Sequence, residues 1–252
     1  MHLYMKLKSL ANKHKGQMAF VIGAGPSLHF SNIEPLKDYV VLSVNSSIVK
    51  VPDCDYYLTD DEGVADFSYF YEPLSKSRCI KLFYDFKMKR CDVSHIDQKQ
   101  IVWFKHKTWF DGVKYYEDGL VMTKNPRKPI IGARTSVGSA IHFAYIMGCD
   151  PIVLLGIDCC FREGKKYFWE FPGEPPVSRV KGLPLRALPV KLLNGDKADH
   201  HSVQIKKYFE QLAVQTKKQE INIINSSGGI LDCFERMPLE KVLEKYVARK
   251  KK

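Results

Sequence analysis

The sequence predicts an α/β protein, a doubly wound, mostly parallel Rossmann-like sheet with an embedded lid. Short continuous apolar runs recur along the chain, each stopping at small or acidic residues; helical spacings lie between the later runs; and the two patterns alternate. Parallel strands are buried on both faces and so lose the in-out alternation of antiparallel ones, which is why they read as unbroken apolar runs.

In chain order the strand runs are 18–25 (MAFVIGAG), 39–47 (YVVLSVNSS), 54–61 (CDYYLTDD), 79–84 (CIKLFY), 101–105 (IVWFK), 151–158 (PIVLLGID) and 221–227 (INIINSS). Residues 136–148 place Val137, Ile141, Ala144, Tyr145 and Gly148 on one helical face. Residues 202–219 do the same with Ile205, Phe209, Leu212 and Ala213. Residues 161–201 are rich in Pro and Gly and carry Tyr167, Phe168, Trp169 and Phe171. A long irregular segment of this kind inside a compact domain reads as an active-site lid. The organisation expected is therefore one Rossmann-like domain over 1–252, with 161–201 as a lid insertion and 248–252 as a basic tail.

At 252 residues the chain can bury a full core. No apolar stretch long enough to span a bilayer occurs, and the Lys-rich start lacks the apolar core of a signal peptide, which predicts a cytoplasmic protein. The seven cysteines show neither metal-ligand spacing nor a disulfide framework, as expected of reduced thiols. The net charge of +11 points to an anionic partner. Phosphorylated small molecules fit, as does a weak association with an anionic membrane surface. Nucleic acid fits less well, because the basic runs KMKR (87–90) and ARKKK (248–252) lack interleaved stacking aromatics. An oligomer is compatible with the composition.

Ligands of open parallel sheets bind beyond the carboxyl ends of the strands, so the residues ending each run are the candidates. They are 23–27, 45–47, 59–63, 156–158 and 225–229. In GAGPSL, Gly23 and Gly25 permit close backbone approach, Pro26 suits a first helical turn and Ser27 sets a hydroxyl beside free helix-start amides, an anion cradle. Leu28 stands where a dinucleotide fingerprint has its third glycine, and no P-loop Lys-Ser/Thr follows. The adjacent carboxylates Asp60 and Asp61 can hold a magnesium ion on a diphosphate or form an acidic turn. Arg134, Thr135 and Ser136 bring a cation and two hydroxyls to a helix start. Of the eight histidines, His2, His14, His29, His95 and His106 have no sequence context pointing to chemistry, and His142, within the helix after Arg134, reads as packed or surface rather than catalytic. His200 and His201 close the lid just before a helix, beside Asp199, where an imidazole can accept a proton and be oriented by the carboxylate.

The blocks VIGAGPSL, SVNSSI and TSVGSAIHFAYIMGCDPIVLLGIDCCF resemble the motility-accessory and pterin-diphosphokinase-like group, and are similar to bacterial lipooligosaccharide sialyltransferases, over roughly 18–235. The sialyltransferase resemblance implies a sugar-nucleotide phosphate on Gly25, Pro26 and Ser27, Asn45 near the base or sugar, Thr135 and Ser136 as donor contacts, and Asp158, after Gly156, on the ribose. It selects His200 as the base, with His201 the neighbouring candidate, and Tyr167 as stabiliser of the leaving phosphate. Two departures stand out: Cys160 replaces a companion tyrosine, and Arg134 is displaced by one place relative to the Thr-Ser pair.

The activity implied is an inverting glycosyl transfer from a CMP-sugar to a glycan hydroxyl, with no cofactor required. The rival resemblance implies ATP- and magnesium-dependent diphosphate transfer to a hydroxymethylpterin, with Asp60 and Asp61 holding the metal. A third reading is a non-enzymatic nucleotide- or nucleic-acid-binding accessory protein.

Overall fold

The computed structural model describes residues 7–106, 122–132, 135–180, 192–193 and 198–247, the last two segments with backbone only for 192–193 and 198–202. The strands are β1 (Ala19–Ile22), β2 (Val40–Val44), β3 (Tyr56–Thr59), β4 (Ile80–Tyr84), β5 (Ile101–Phe104), β6 (Ile152–Leu155), β7 (Leu192–Leu193), β8 (Ala198–Asp199), β9 (Ile223–Asn225) and β10 (Glu235–Arg236). The helices are α1 (Ser68–Lys76), α2 (Asp85–Met88), α3 (Ser136–Ile146), α4 (His200–Lys218) and α5 (Leu239–Lys245). Eight strands form one sheet in the order β10-β9-β6-β1-β2-β3-β4-β5, every pair parallel. β7 and β8 form a separate antiparallel pair. The α/β, Rossmann-like class expected from the apolar runs is the class observed.

Alternate strand residues feed two cores. Val21, Leu42, Leu58, Leu82, Val102 and Leu154 face α3 and the Phe209 and Leu212 side of α4. Phe20, Val41, Tyr57, Phe83, Ile101 and Val153 face α1, Leu28, Phe168 and the Leu239 and Val242 side of α5. With both faces covered, polar alternation has no place in these strands.

Three elements differ from the sequence reading. α3 is buried nearly all round, with Ser139, Phe143 and Ile146 fully covered, while Val137 and Tyr145 of the expected face are only partly so. A helix wedged against a sheet and covered outside has no single apolar stripe for periodicity to find. α4 begins at His200, so both candidate histidines lie inside its first turn instead of before it. β10 is two exposed charged residues paired with β9 through backbone alone, which leaves no apolar signal.

β1 is the point where the chain reverses direction across the sheet. β2 to β5 extend to one side, and β6, β9 and β10 to the other, so the crevice at the carboxyl ends of β1 and β6 is the topological switch point. Among the described residues no helix is long and apolar enough to cross a membrane. All seven cysteines are free.

Residues 161–180, the described first half of the expected lid, form a strap across the carboxyl ends of β1, β2 and β3. Phe168 N donates to Ala24 O at 3.1 Å, and Ser68 N and Val180 N donate to Ser178 O and Asp66 O at 2.8 and 2.9 Å. Trp169 Nε1 donates to Ser46 Oγ at 3.1 Å. Glu174, its side chain only 4% exposed, accepts from Lys50 Nζ at 2.5 and 2.6 Å and lies 2.7 Å from His29 Nδ1. Removing one charge of a buried pair strands the other. Glu174→Gln is therefore expected to lower unfolding stability by about 2–3 kcal/mol in urea titrations, and adding Lys50→Met to recover part of the loss.

Candidate functional site

The loop after β1 and the end of β6 meet backbone to backbone. Gly23 N donates to Leu155 O at 2.8 Å and Gly25 N to Gly156 O at 2.7 Å. A Cβ on Gly156, whose φ is +66°, would lie 2.6 Å from Gly23 O, and one on Gly25 would lie 2.2 Å from Asp158 Oδ2. The glycines thus bring Asp158 against the helical turn Pro26–Phe30. Its Oδ2 accepts from Ser27 N at 3.0 Å.

This changes the reading of the loop. The amide expected to seat a phosphate is already bonded to a carboxylate from the same chain, and that negative charge would repel a phosphate placed there. Asp158 is 3% exposed, and burial pushes its carboxyl above the usual carboxylate range, opposed by the Ser27 amide and the Arg162 charge. A buried carboxylate with acceptor capacity to spare is suited to hydroxyl donors such as a ribose diol.

The loop after β9 closes the other wall. Ile157 N donates to Ser227 Oγ at 2.8 Å, and Ile230 N to Asp158 O at 2.9 Å. Pro26, Ser27, Asp158, Arg162, Gly228 and Gly229 line a cavity of about 240 Å³, with Cys160 and Phe161 completing it. Pockets that enclose a whole ligand run from roughly 300 to 1,000 Å³, so this one takes a ribose-sized portion and leaves the rest over its mouth.

One orphan polar atom adjoins this region: Asn45 Oδ1 is buried without a hydrogen-bond partner, whereas the Ser27 hydroxyl, within the cavity lining, helps hold the Asp158 carboxylate. Asn45 follows β2, beside the β1 loop, and holds φ at +53°. Unpaired buried polar atoms and positive φ in a non-glycine residue both cost free energy, and both concentrate where a ligand completes the structure. Tyr167 heads the strap's helical turn Phe168–Glu170, stacked on Trp169 with ring centroids 5.0 Å apart. The Phe168–Ala24 bond seats it next to the β1 loop.

Thr135 and Ser136 do something else. Thr135 Oγ1 caps α3 by accepting from Gly138 N at 2.8 Å. Ser136 Oγ donates to Asp60 Oδ1, and Ser139 Oγ to Asp60 Oδ2 at 2.9 Å. His106 Nε2 lies 3.1 Å from Ser139 Oγ. Asp61 turns away to cap its own turn, Oδ1 accepting from Gly63 N at 3.0 Å. Successive side chains of extended backbone point to opposite sides, so these neighbouring carboxylates do not converge. Among the described residues no group of three His, Cys, Asp or Glu is placed to hold a metal ion. The Asp60–Asp61 pair, each member committed to different partners, does not fit a magnesium chelate. Arg134 lies outside the described residues.

His142 is fully buried. Its Nδ1 accepts from Ile131 N at 2.8 Å, its Nε2 is 2.9 Å from Thr123 O, and burial drives its pKa down to about 4. It is a neutral packing residue, which decides between the packed and surface positions that the sequence left open. His14, His29, His95 and His106 all have structural partners, in Tyr56, Glu174, Phe70 O and Ser139. His200 opens α4, and its side chain lies outside what the structure describes. Sequence reasoning missed Arg162, which carried no signal beyond being a cation four places after the strand end at 156–158, and recorded Gly228 and Gly229 only as strand-end residues.

A model of the family described as 6-hydroxymethylpterin diphosphokinase MptE-like matches residues 2–164. No protein of curated function matches the chain. Among solved structures the chain is similar to the MAf glycosyltransferase from Magnetospirillum magneticum AMB-1, at 14% identity and a TM-score of 0.53. That match covers 97% of this chain but 41% of the other, so the chain spans well under half of that neighbour's length. At this identity the likeness is one of fold. A match to the NADP-bound C-domain of a bacterial malonyl-CoA reductase has 11% identity and a TM-score of 0.24, covers 97% and 33% of the two chains, and defines no correspondence of sites.

Proposed function

The chain belongs to the 6-hydroxymethylpterin diphosphokinase MptE-like family, and from that premise we propose that it is a transferase that binds a nucleotide-activated sugar at the β1–β6 crevice and passes the sugar to a glycan hydroxyl. The observation that carries the reading is the buried Asp158 carboxylate, held by Ser27 N at the floor of a ribose-sized cavity at the switch point. Asp158, steadied by Ser27, accepts from the ribose hydroxyls, Asn45 Oδ1 gains a partner from the donor, and Gly23, Gly25, Pro26 and Gly156 shape the crevice. Thr135 and Ser136 act at one remove, by fixing α3 and Asp60. Arg134 keeps its place as a donor contact in the reading by resemblance.

In the transfer, His200 removes the proton from the acceptor hydroxyl as its oxygen attacks the anomeric carbon. The bond from that carbon to the donor phosphate breaks on the opposite face, inverting the centre, and the phosphate leaves with the bonding pair. Tyr167, docked beside the β1 loop, donates a hydrogen bond to the departing oxygen. A CMP-sugar is the donor of the sialyltransferase-like form. No step calls for a cofactor, and a basic surface of net charge +11 suits an acceptor at an anionic membrane surface.

The family's own description favours a second reading, ATP-dependent diphosphate transfer. Thermal-shift titration with CMP, CDP, UDP, GDP and ATP, each with and without magnesium, separates the two. Stabilisation by CMP without metal, lost in Asp158→Asn, is the expected result. Stabilisation by ATP only with magnesium, lost in Asp60→Asn, would replace it with the diphosphokinase.

A further inference from the structure

The crevice lacks a phosphate seat where the sequence put one, because Asp158 holds the Ser27 amide. A turn carrying two cations, Arg162 and Lys165, stands beside the cavity. Arg162 and Lys165 exchange backbone hydrogen bonds, N to O, both at 3.0 Å. The two residues between them, Glu163 and Gly164, lie at φ +54° and +71°, the geometry of a tight two-residue hairpin. Arg162 lines the cavity, and its charge is felt by the Asp158 carboxylate.

The two cations are held by aromatic faces. The Arg162 guanidinium carbon stands 3.7 Å from the Phe30 ring centroid, and Lys165 Nζ 5.4 Å from that of Phe171. Phe30 and Phe171 touch edge to face at 5.4 Å, and His29 stacks on Phe171 at 4.5 Å. An aromatic face positions a cation without cancelling its charge, as a carboxylate would. Among the described residues neither Arg162 nor Lys165 forms a salt bridge. Of the nearby acids, Glu170 accepts from the amides of Lys166 and Tyr167, and Glu174 is taken by Lys50 and His29. Glu163 sits on the turn itself.

We propose that this turn is the anion clamp of the site, binding the phosphate or diphosphate of the nucleotide through Arg162 and Lys165, an assignment that rests on the nucleotide-donor reading. Asp158 inside the cavity and the cations at its mouth then divide the ligand, with ribose at the carboxylate and phosphate at the turn. The planar guanidinium offers a fork that matches phosphate oxygens, and Lys165 adds a point charge.

The test is calorimetric titration of the full chain with inorganic pyrophosphate, cytidine, CMP and CDP. Arg162→Gln is expected to weaken pyrophosphate and CDP by roughly tenfold or more, with cytidine unchanged. Lys165→Gln is expected to weaken the same two ligands less. Arg162→Lys is expected to restore part of the loss, and Asp158→Asn to weaken cytidine while sparing pyrophosphate. Because Arg162 and Lys165 lie at the surface rather than in either core, unchanged thermal midpoints are the folding control. Wild-type protein that does not bind pyrophosphate, or Arg162→Gln that binds CDP as wild type does, overturns the clamp. Pyrophosphate binding that needs Arg162, with no affinity for any nucleotide tested, leaves the anion site standing and overturns the donor reading.

Discussion

Gly229→Ala is expected to lower unfolding stability by about 3 kcal/mol and to abolish nucleotide-dependent stabilisation. Gly229 lies at φ +75°, and a Cβ there would stand 2.1 Å from Asp158 O and 2.7 Å from both Asp158 C and Cα. These are backbone atoms, so no rotamer change relieves the overlap. Either the loop after β9 or the end of β6 must move, and both walls of the cavity move with it. Gly173 supplies the internal control: its φ is +83°, yet a Cβ there meets nothing within 4 Å. Gly173→Ala should therefore show only the backbone cost of positive φ, about 1 kcal/mol, with nucleotide binding intact. Urea denaturation of the two variants isolates the steric part by difference. Equal losses would mean that the close approach at Asp158 is not what that glycine serves.

The same contact explains how much of the site was legible in the sequence. All seven apolar runs became strands of one sheet, because burial on both faces writes itself locally, residue by residue. The candidate strand ends were legible for the same reason, since ligand-facing loops must follow them. What the loops do to one another was not. Ser27 and Asp158 are 131 residues apart, and nothing in GAGPSL records that its amide is occupied by a carboxylate from another strand. TDDEG reads as a pair of carboxylates, yet extended backbone sends Asp60 to Ser136 and Ser139 and Asp61 to Gly63. Arg162 is one of 39 cations in the sequence. Only the fold, which brings its turn to the cavity mouth and lays it on Phe30, distinguishes it.

His200→Ala is expected to lower sugar transfer by roughly 10²–10⁴-fold while leaving nucleotide affinity within about twofold of wild type, since an error of 1.4 kcal/mol in binding would already be tenfold. A general base acts on the acceptor hydroxyl, whereas the proposed donor site is Asp158 and the residues around it, so the two readouts separate. His201→Ala is the comparison. Both histidines belong to the first turn of α4, and successive positions of a helix diverge by about 100°, so the two single variants probe different directions from the helix and one is expected to matter. Rates measured from a saturating donor, with affinity measured separately by calorimetry, decide between them. Loss of transfer in His201→Ala with His200→Ala active would move the base by one residue and keep the mechanism. Full activity in both single variants and in the double variant would remove histidine catalysis from this helix. Loss of nucleotide affinity in His200→Ala would make it a donor ligand, and the proton would then have to leave through another group.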